Sequence, residues 1–222
     1  MKNYAIILAA GKGRRFGGEK QFYPLKKLPL FLYSVIAFNK FKGCSEIVVV
    51  TNENKIGLVK RLVKKYKLNK VKSVVAGGER RIDSTYQGLK ILPESGVVAV
   101  HDGVRPIIDQ NMIKRGYKFA KKYRAVIFGI SVEETIKKIK DSRVLKTLPR
   151  DDLYRIQTPQ FFEIGLLRQA LSSTLKEGAE VSDESSLIER LGYPVYFFLG
   201  DKKNIKVTTY EDIALVSQFL KG

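Results

Sequence analysis

Short unbroken apolar runs alternate with amphipathic stretches along most of this chain. Residues 4–9, 46–51, 71–76, 96–101 and 125–130 are almost continuously hydrophobic, the pattern of strands buried on both faces of a parallel sheet. Between them, residues 30–41, 55–66, 80–92 and a stretch from the cap Asp109 to about Lys122 carry apolar residues at helical spacing. This alternation predicts an α/β fold with a doubly wound parallel sheet. The rhythm then changes. Residues 133–140 and 143–148 alternate in period two across Asp141-Ser142, which predicts a β-hairpin arm at about 132–155. An isolated hairpin is marginal in water, so it is expected to pack on its own sheet or on a second subunit. Helices at 162–176, 182–191 and 210–220 and a strand at 195–199 complete the expectation.

A length of 222 residues with 44% hydrophobic content fits one domain spanning the chain. No apolar run reaches membrane-spanning length. The short N-terminal apolar run lacks the order of a signal peptide, and one cysteine, Cys44, leaves no intramolecular disulfide. A cytoplasmic location is therefore expected.

The first strand runs straight into Ala9-Ala-Gly-Lys-Gly-Arg-Arg-Phe-Gly-Gly-Glu-Lys20. Glycines let backbone N–H groups approach a ligand, and Lys12, Arg14, Arg15 and Lys20 add fixed positive charge; together they suit a polyphosphate. In a dinucleotide fingerprint the third glycine would come one residue earlier than Gly17. For an ATPase loop, Gly13 and Gly18 are spaced correctly, but Glu19-Lys20-Gln21 follows without the hydroxyl for Mg²⁺. The L-A-A-G-x-G-x-R…K loop of nucleotidyltransferases matches Leu8 to Arg15 and Lys20. A tight βα turn with a solvated basic rim is the plain structural reading.

Ligands of open parallel sheets bind at the carboxyl ends of the strands. Besides the first loop, the segments 77–84, 101–106 and 201–206 fall there. Asp102, where a strand exits, could hold a metal or a ribose hydroxyl, or pair with Arg105. Ser84 could read a base edge or satisfy its own helix. Arg105, Arg150 and Lys206 are further phosphate candidates. His101, the one histidine, ends an apolar strand and is expected to be a packed residue; no covalent-catalysis constellation can be assembled around it.

The formal charge of +19 would also suit nucleic acid. In its densest patch, at 60–72, Leu62, Val63 and Tyr66 recur at helical spacing among the lysines, so a solvated helix face is expected instead.

Four segments together resemble the 2-C-methyl-D-erythritol 4-phosphate cytidylyltransferase family: the loop from Ala9 to Arg15 with Lys20-Gln21; Gly77-Gly78-x-x-Arg81-x-Asp83-Ser84; His101-Asp102-x-x-Arg105-Pro106; and Thr158-Pro-Gln-Phe-Phe162 followed by Asp183-Glu184 and Asn204-Ile-Lys-Val-Thr208. Two departures stand out: Glu19 where the family often has proline, and Gly103-Val104 where it often has two alanines. The resemblance implies a Rossmann-like α/β domain with a mainly parallel sheet, and transfer of CMP from CTP to methylerythritol phosphate with Mg²⁺, by a homodimer with interlocked arms. It places Ala9, Ala10, Gly11, Gly13, Gly78 and Ser84 at the nucleotide. It gives Arg15 and Lys20 the transition state, and Asp102 the ribose or metal. Arg105, Thr135, Arg150, Thr158 and Lys206 fall to the acceptor, with Thr135 and Arg150 reaching in from the partner's arm. A ribitol-5-phosphate cytidylyltransferase would share the nucleotide loops; a basic nucleic-acid-binding module is the remoter alternative.

Overall fold

The computed structural model describes residues 1–177 and 181–220. Its strands are β1 (Asn3–Ala9), β2 (Pro24–Leu25), β3 (Leu28–Pro29), β4 (Glu46–Thr51), β5 (Val71–Ala76), β6 (Val97–Asp102), β7 (Ala125–Ser131), β8 (Ile136–Lys140), β9 (Arg143–Leu148), β10 (Tyr154–Glu163) and β11 (Tyr196–Leu199). The helices are α1 (Leu30–Lys40), α2 (Ile56–Lys65), α3 (Arg81–Ile91), α4 (Gln110–Tyr123), α5 (Ile164–Glu177), α6 (Glu184–Arg190) and α7 (Tyr210–Phe219).

Seven strands form the central sheet in the order β11-β7-β10-β6-β1-β4-β5. β1 pairs in parallel with β4 and with β6, and β4 with β5, so the strand order reverses direction at β1. Successive residues of β1 serve opposite layers. Ala5, Ile7 and Ala9 pack with α1, α2 and α4 through Phe31, Val59 and Tyr117. Tyr4 and Ile6 pack with α3, α5 and α6 through Leu89, Leu167 and Ile188. This two-sided burial is why the strands read as unbroken apolar runs. A third cluster of Phe16, Leu25, Leu30, Val104, Val207 and Val216 sits beneath the first loop.

β10 corrects the expected helix at 162–176. Phe162 and Glu163 are the end of a ten-residue strand, antiparallel to both β6 and β7, and the helix begins at Ile164. Its composition hid it: Arg155, Gln157 and Gln160 interrupt the apolar pattern, and a proline argues against a central strand. The chain accommodates Pro159, which has no N–H to donate, where the register with β7 shifts between Gln157 and Phe161. Buried Gln157 donates to the Asp201 carbonyl at 2.8 Å, so this strand also anchors the segment after β11.

β8 and β9 form their own two-stranded sheet, nearly all of it exposed. Asp141 and Ser142 link them with φ of 50° and 63°, the pair of positive angles of a tight hairpin turn. The hairpin stands off the sheet as an arm rather than lying on it. On α2, Val59 is buried while Lys60, Lys64 and Lys65 are exposed, so the basic run is a solvated face.

Candidate active site

A cavity of about 420 Å³ opens over the carboxyl ends of β1, β4, β5 and β6. The four segments expected there converge on it: Ala9, Ala10, Gly11, Gly13, Arg15 and Lys20 from the first loop, Gly78 and Ser84 at the start of α3, Asp102 at the end of β6, and Lys206 beyond β11. Arg81, Asn52 and Glu79 also line it.

The first loop is held by its own backbone. Phe16 N–H and Gly18 N–H donate to the Gly13 carbonyl at 2.9 and 3.3 Å, and Gln21 Nε2 donates to the Gly11 carbonyl at 3.0 Å. Gly13 has φ +62°, and a Cβ there would stand 1.7 Å from the Gly18 oxygen, so only glycine closes this turn. Glu19, the departure from the family pattern, fastens the far end: it accepts from Asn52 Nδ2 at 2.5 Å and pairs with Lys55 at 3.0 Å. Between these two anchors lies Lys20. Its burial, above all, and then Lys206 and Arg15 nearby hold its ammonium pKa below the ordinary lysine value.

Ser84 is 5% exposed; its hydroxyl accepts from Gly78 N–H at 3.1 Å and can donate to the Arg80 carbonyl at 3.3 Å. It therefore shapes the turn that presents Gly78 and ties it to the start of α3. Gly77 is packed against that hydroxyl and against Ala10: an added Cβ would meet them at 2.7 and 2.6 Å.

Asp102 is the electrostatic centre. Its Oδ1 accepts from Arg81 Nε and Nη2 at 3.2 and 3.1 Å, its Oδ2 lies 2.7 Å from Lys206 Nζ, and Arg105 Nε stands 3.9 Å away. Burial alone would raise its pKa; these three cations overcome that and hold it far below the usual carboxylate range. Asp102 is thus an anion at neutral pH, and of the cations facing it Arg81 and Lys206 line the cavity.

Behind Asp102 is a second layer. Its backbone N–H donates to Thr158 Oγ1 at 3.0 Å, and Thr158 Oγ1 lies 3.2 Å from His101 Nδ1. His101 Nε2 lies 3.2 Å from the Arg105 carbonyl, which makes Nε2 the protonated nitrogen. Fully buried, this imidazole is pushed down to about 4, chiefly by desolvation, and is neutral at pH 7. Arg105 Nη1 donates to the Asn204 carbonyl at 2.7 Å. Thr158 and Arg105, expected at the acceptor, therefore do not line the cavity; both are buried and bonded one layer beneath it. Thr135 and Arg150 lie exposed at the base of the arm, away from the cavity of their own chain, where Arg150 donates to the Glu133 carbonyl.

Sequence reasoning missed the role of Arg81 and Glu184. Arg81 Nη1 donates to Glu184 Oε2 at 2.5 Å across 103 positions of chain, a contact no local pattern could announce.

Residues 4–222 match the family model described as IspD, 2-C-methyl-D-erythritol 4-phosphate cytidylyltransferase. The chain belongs to this family. A 2-C-methyl-D-erythritol 4-phosphate cytidylyltransferase of Clostridium novyi is 39% identical over 100% of this chain and 97% of its own. That of Halalkalibacterium halodurans is 36% identical over 99% and 97%. Among solved structures, 4-diphosphocytidyl-2C-methyl-D-erythritol synthase from Anaerococcus prevotii superposes with a TM-score of 0.86 at 31% identity, covering 98% of this chain and 97% of that one. The cytidylyltransferase of Francisella tularensis does so with 0.84 at 30% identity, covering 99% and 100%.

Proposed function

We propose that the cavity over Asp102 is the CTP site and that residues 1–222 work as one nucleotidyltransferase domain whose arm completes a neighbouring subunit. The activity is that of the family: CMP passes from CTP to 2-C-methyl-D-erythritol 4-phosphate, giving the CDP-alcohol and pyrophosphate for isoprenoid precursor synthesis. The observation that carries the site assignment is the convergence of Arg15, Lys20 and Lys206 on glycine-lined space at the strand ends.

Ala9, Ala10, Gly11, Gly13 and Gly78 would surround the nucleotide, with Ser84 fixing the Gly78 turn. An oxygen of the acceptor's phosphate attacks the α-phosphorus of CTP. The new P–O bond forms as the bond from that phosphorus to the bridging oxygen of the β-phosphate breaks. The nucleophile is already an oxyanion, so no protein base is needed, in keeping with a neutral, buried His101. Two anions must meet while negative charge moves to the leaving pyrophosphate, so positioning and cationic stabilisation carry the rate. Lys20 and Arg15 are assigned to that charge, and Lys206 to the acceptor phosphate. Thr158 and Arg105 support Asp102 from behind.

Among the described residues no cluster of three or more His, Cys, Asp or Glu is arranged for a metal, so the site does not cage one. It fits a Mg²⁺ carried by the triphosphate, which needs one or two carboxylates besides phosphate oxygens and water. Asp102 would hold it, and its charge would offset part of the triphosphate's.

Thr135 and Arg150 are assigned to the partner's cavity in a homodimer. The exposed arm, with Ile139, Val144 and Leu145 more than half exposed at its end, supports that reading. Among the described residues no helix is long and apolar enough to cross a membrane. With CTP as substrate and one buried thiol, Cys44, we place the enzyme in the cytoplasm.

The test is pyrophosphate release from CTP and Mg²⁺ with 2-C-methyl-D-erythritol 4-phosphate or ribitol 5-phosphate in parallel. Release with the first acceptor alone is expected. Release with ribitol 5-phosphate alone would overturn the acceptor assignment, and silence with both would overturn the site.

A further inference from the structure

We infer that Glu184 is a positioning residue for the reaction: it grips Arg81 from behind, so that Arg81 orients the Asp102 carboxylate instead of turning to the nucleotide's phosphates. The inference rests on reading the cavity as the CTP site.

Glu184 is 1% exposed and opens α6. Its Oε1 accepts from Thr85 Oγ1 at 2.6 Å and its Oε2 from Arg81 Nη1 at 2.5 Å. The other edge of the same guanidinium, Nε and Nη2, takes Asp102 Oδ1. A guanidinium is a rigid plane with donors in fixed directions, so gripping one edge sets the other. Arg81 lines the cavity, where an unrestrained arginine would swing toward a triphosphate. A carboxylate on each side prevents it.

The grip is itself anchored. Asp183 caps α6, accepting from Ser186 N–H at 3.1 Å and from Gln160 Nε2 at 2.6 Å, and Gln160 Oε1 accepts from Ser185 N–H at 3.2 Å. The start of α6 is thereby fixed to β10, and Glu184 meets Arg81 at a set height. A pair serving stability alone would need one carboxylate, and buried ion pairs are poor stabilisers against apolar replacements. A guanidinium held between two carboxylates, the outer one at a nucleotide, has a geometric purpose.

The test is a double-mutant cycle on the purified enzyme, reading kcat/KM for CTP and the melting temperature. Glu184→Gln keeps shape and the Thr85 contact but loses the charge. It is expected to lower the melting temperature, because the Arg81 guanidinium loses one of its two counter-charges, and, assayed well below that temperature, to lose about tenfold or more in kcat/KM, the usual scale for a supporting residue. In an Asp102→Asn background the same change is expected to cost less than about twofold, because its target is already gone. Thr85→Val, which loosens the same carboxylate, is expected to follow in the same direction and serves if Glu184→Gln does not fold. Activity of Glu184→Gln within about twofold of the parent, or losses that simply multiply in the double variant, would overturn the inference. Full activity of Asp102→Asn alone would instead overturn the reading of the cavity.

Discussion

The ring of Phe16 lies stacked on that of Tyr210, with centroids 4.1 Å apart and planes 27° from parallel. Phe16 belongs to the glycine-rich loop and is buried; Tyr210 begins α7 and is more than half exposed. Tyr23 meets both rings edge-on, at 5.4 and 5.8 Å. The basic loop of the proposed CTP site is thus pinned by an aromatic pair, a contact of about 0.5–1.5 kcal/mol beyond its buried area. Tyr210→Ala is expected to raise the KM for CTP by about threefold to tenfold with the fold intact, and Tyr210→Phe to leave it unchanged. Steady-state kinetics on the two variants checks this; equal KM values would show that the stack does not hold the loop.

Gly13 makes the sharpest backbone prediction. A methyl group there clashes with the Gly18 carbonyl oxygen, and the positive φ adds about 1–2 kcal/mol of its own. Gly13→Ala is expected to lower kcat/KM for CTP by at least about tenfold, the clash being with backbone that cannot rotate away. Gly18→Ala has open space and no positive φ, and is expected to be tolerated. Parallel assays of the two variants decide it.

Lys20 should titrate below an ordinary lysine. Its charge is present below the folded-state pKa and lost as pH rises through it, so activity that depends on this ammonium fails earlier on the alkaline side. The contributors can be separated. Lys206→Ala removes a repelling cation and is expected to raise the Lys20 pKa, while Asp102→Asn removes an attracting anion and is expected to lower it. NMR titration of the Lys20 side chain reads both; shifts in the same direction would refute the assignment of causes.

The parts of this protein that could be read in advance were the local ones. The strands β1, β4, β6 and β7 are legible because burial on both faces demands unbroken apolar residues; β5, at the edge of the sheet, is legible only through Val74-Val75-Ala76. The site was legible because each of its segments directly follows a strand, so topology delivers Lys20, Ser84, Asp102 and Lys206 to one place. What stayed hidden depends on distant partners. β10 carries buried polar residues and Pro159 and made no apolar run. Thr158 and Arg105 have side chains suited to a phosphate, and only the fold turns them inward to His101 and Asn204.

The arm predicts complementation. If Thr135 and Arg150 serve the partner's cavity, Lys20→Ala and Arg150→Ala homodimers should each be impaired, while their co-expressed mixture recovers about a quarter of parental activity. That is because half the dimers are mixed and each has one intact site. Recovery no greater than the average of the two parents would mean that the arm does not act across subunits.

The most direct test of the central claim, that fixed cations at the strand ends carry the transfer, is pyrophosphate release by Lys20→Ala with CTP, Mg²⁺ and 2-C-methyl-D-erythritol 4-phosphate. Losing one such contact typically costs on the order of 10²–10³ in rate. A fall in kcat of that size or more, with an unchanged melting temperature, is the expected result. Near-parental turnover in the folded variant would contradict it.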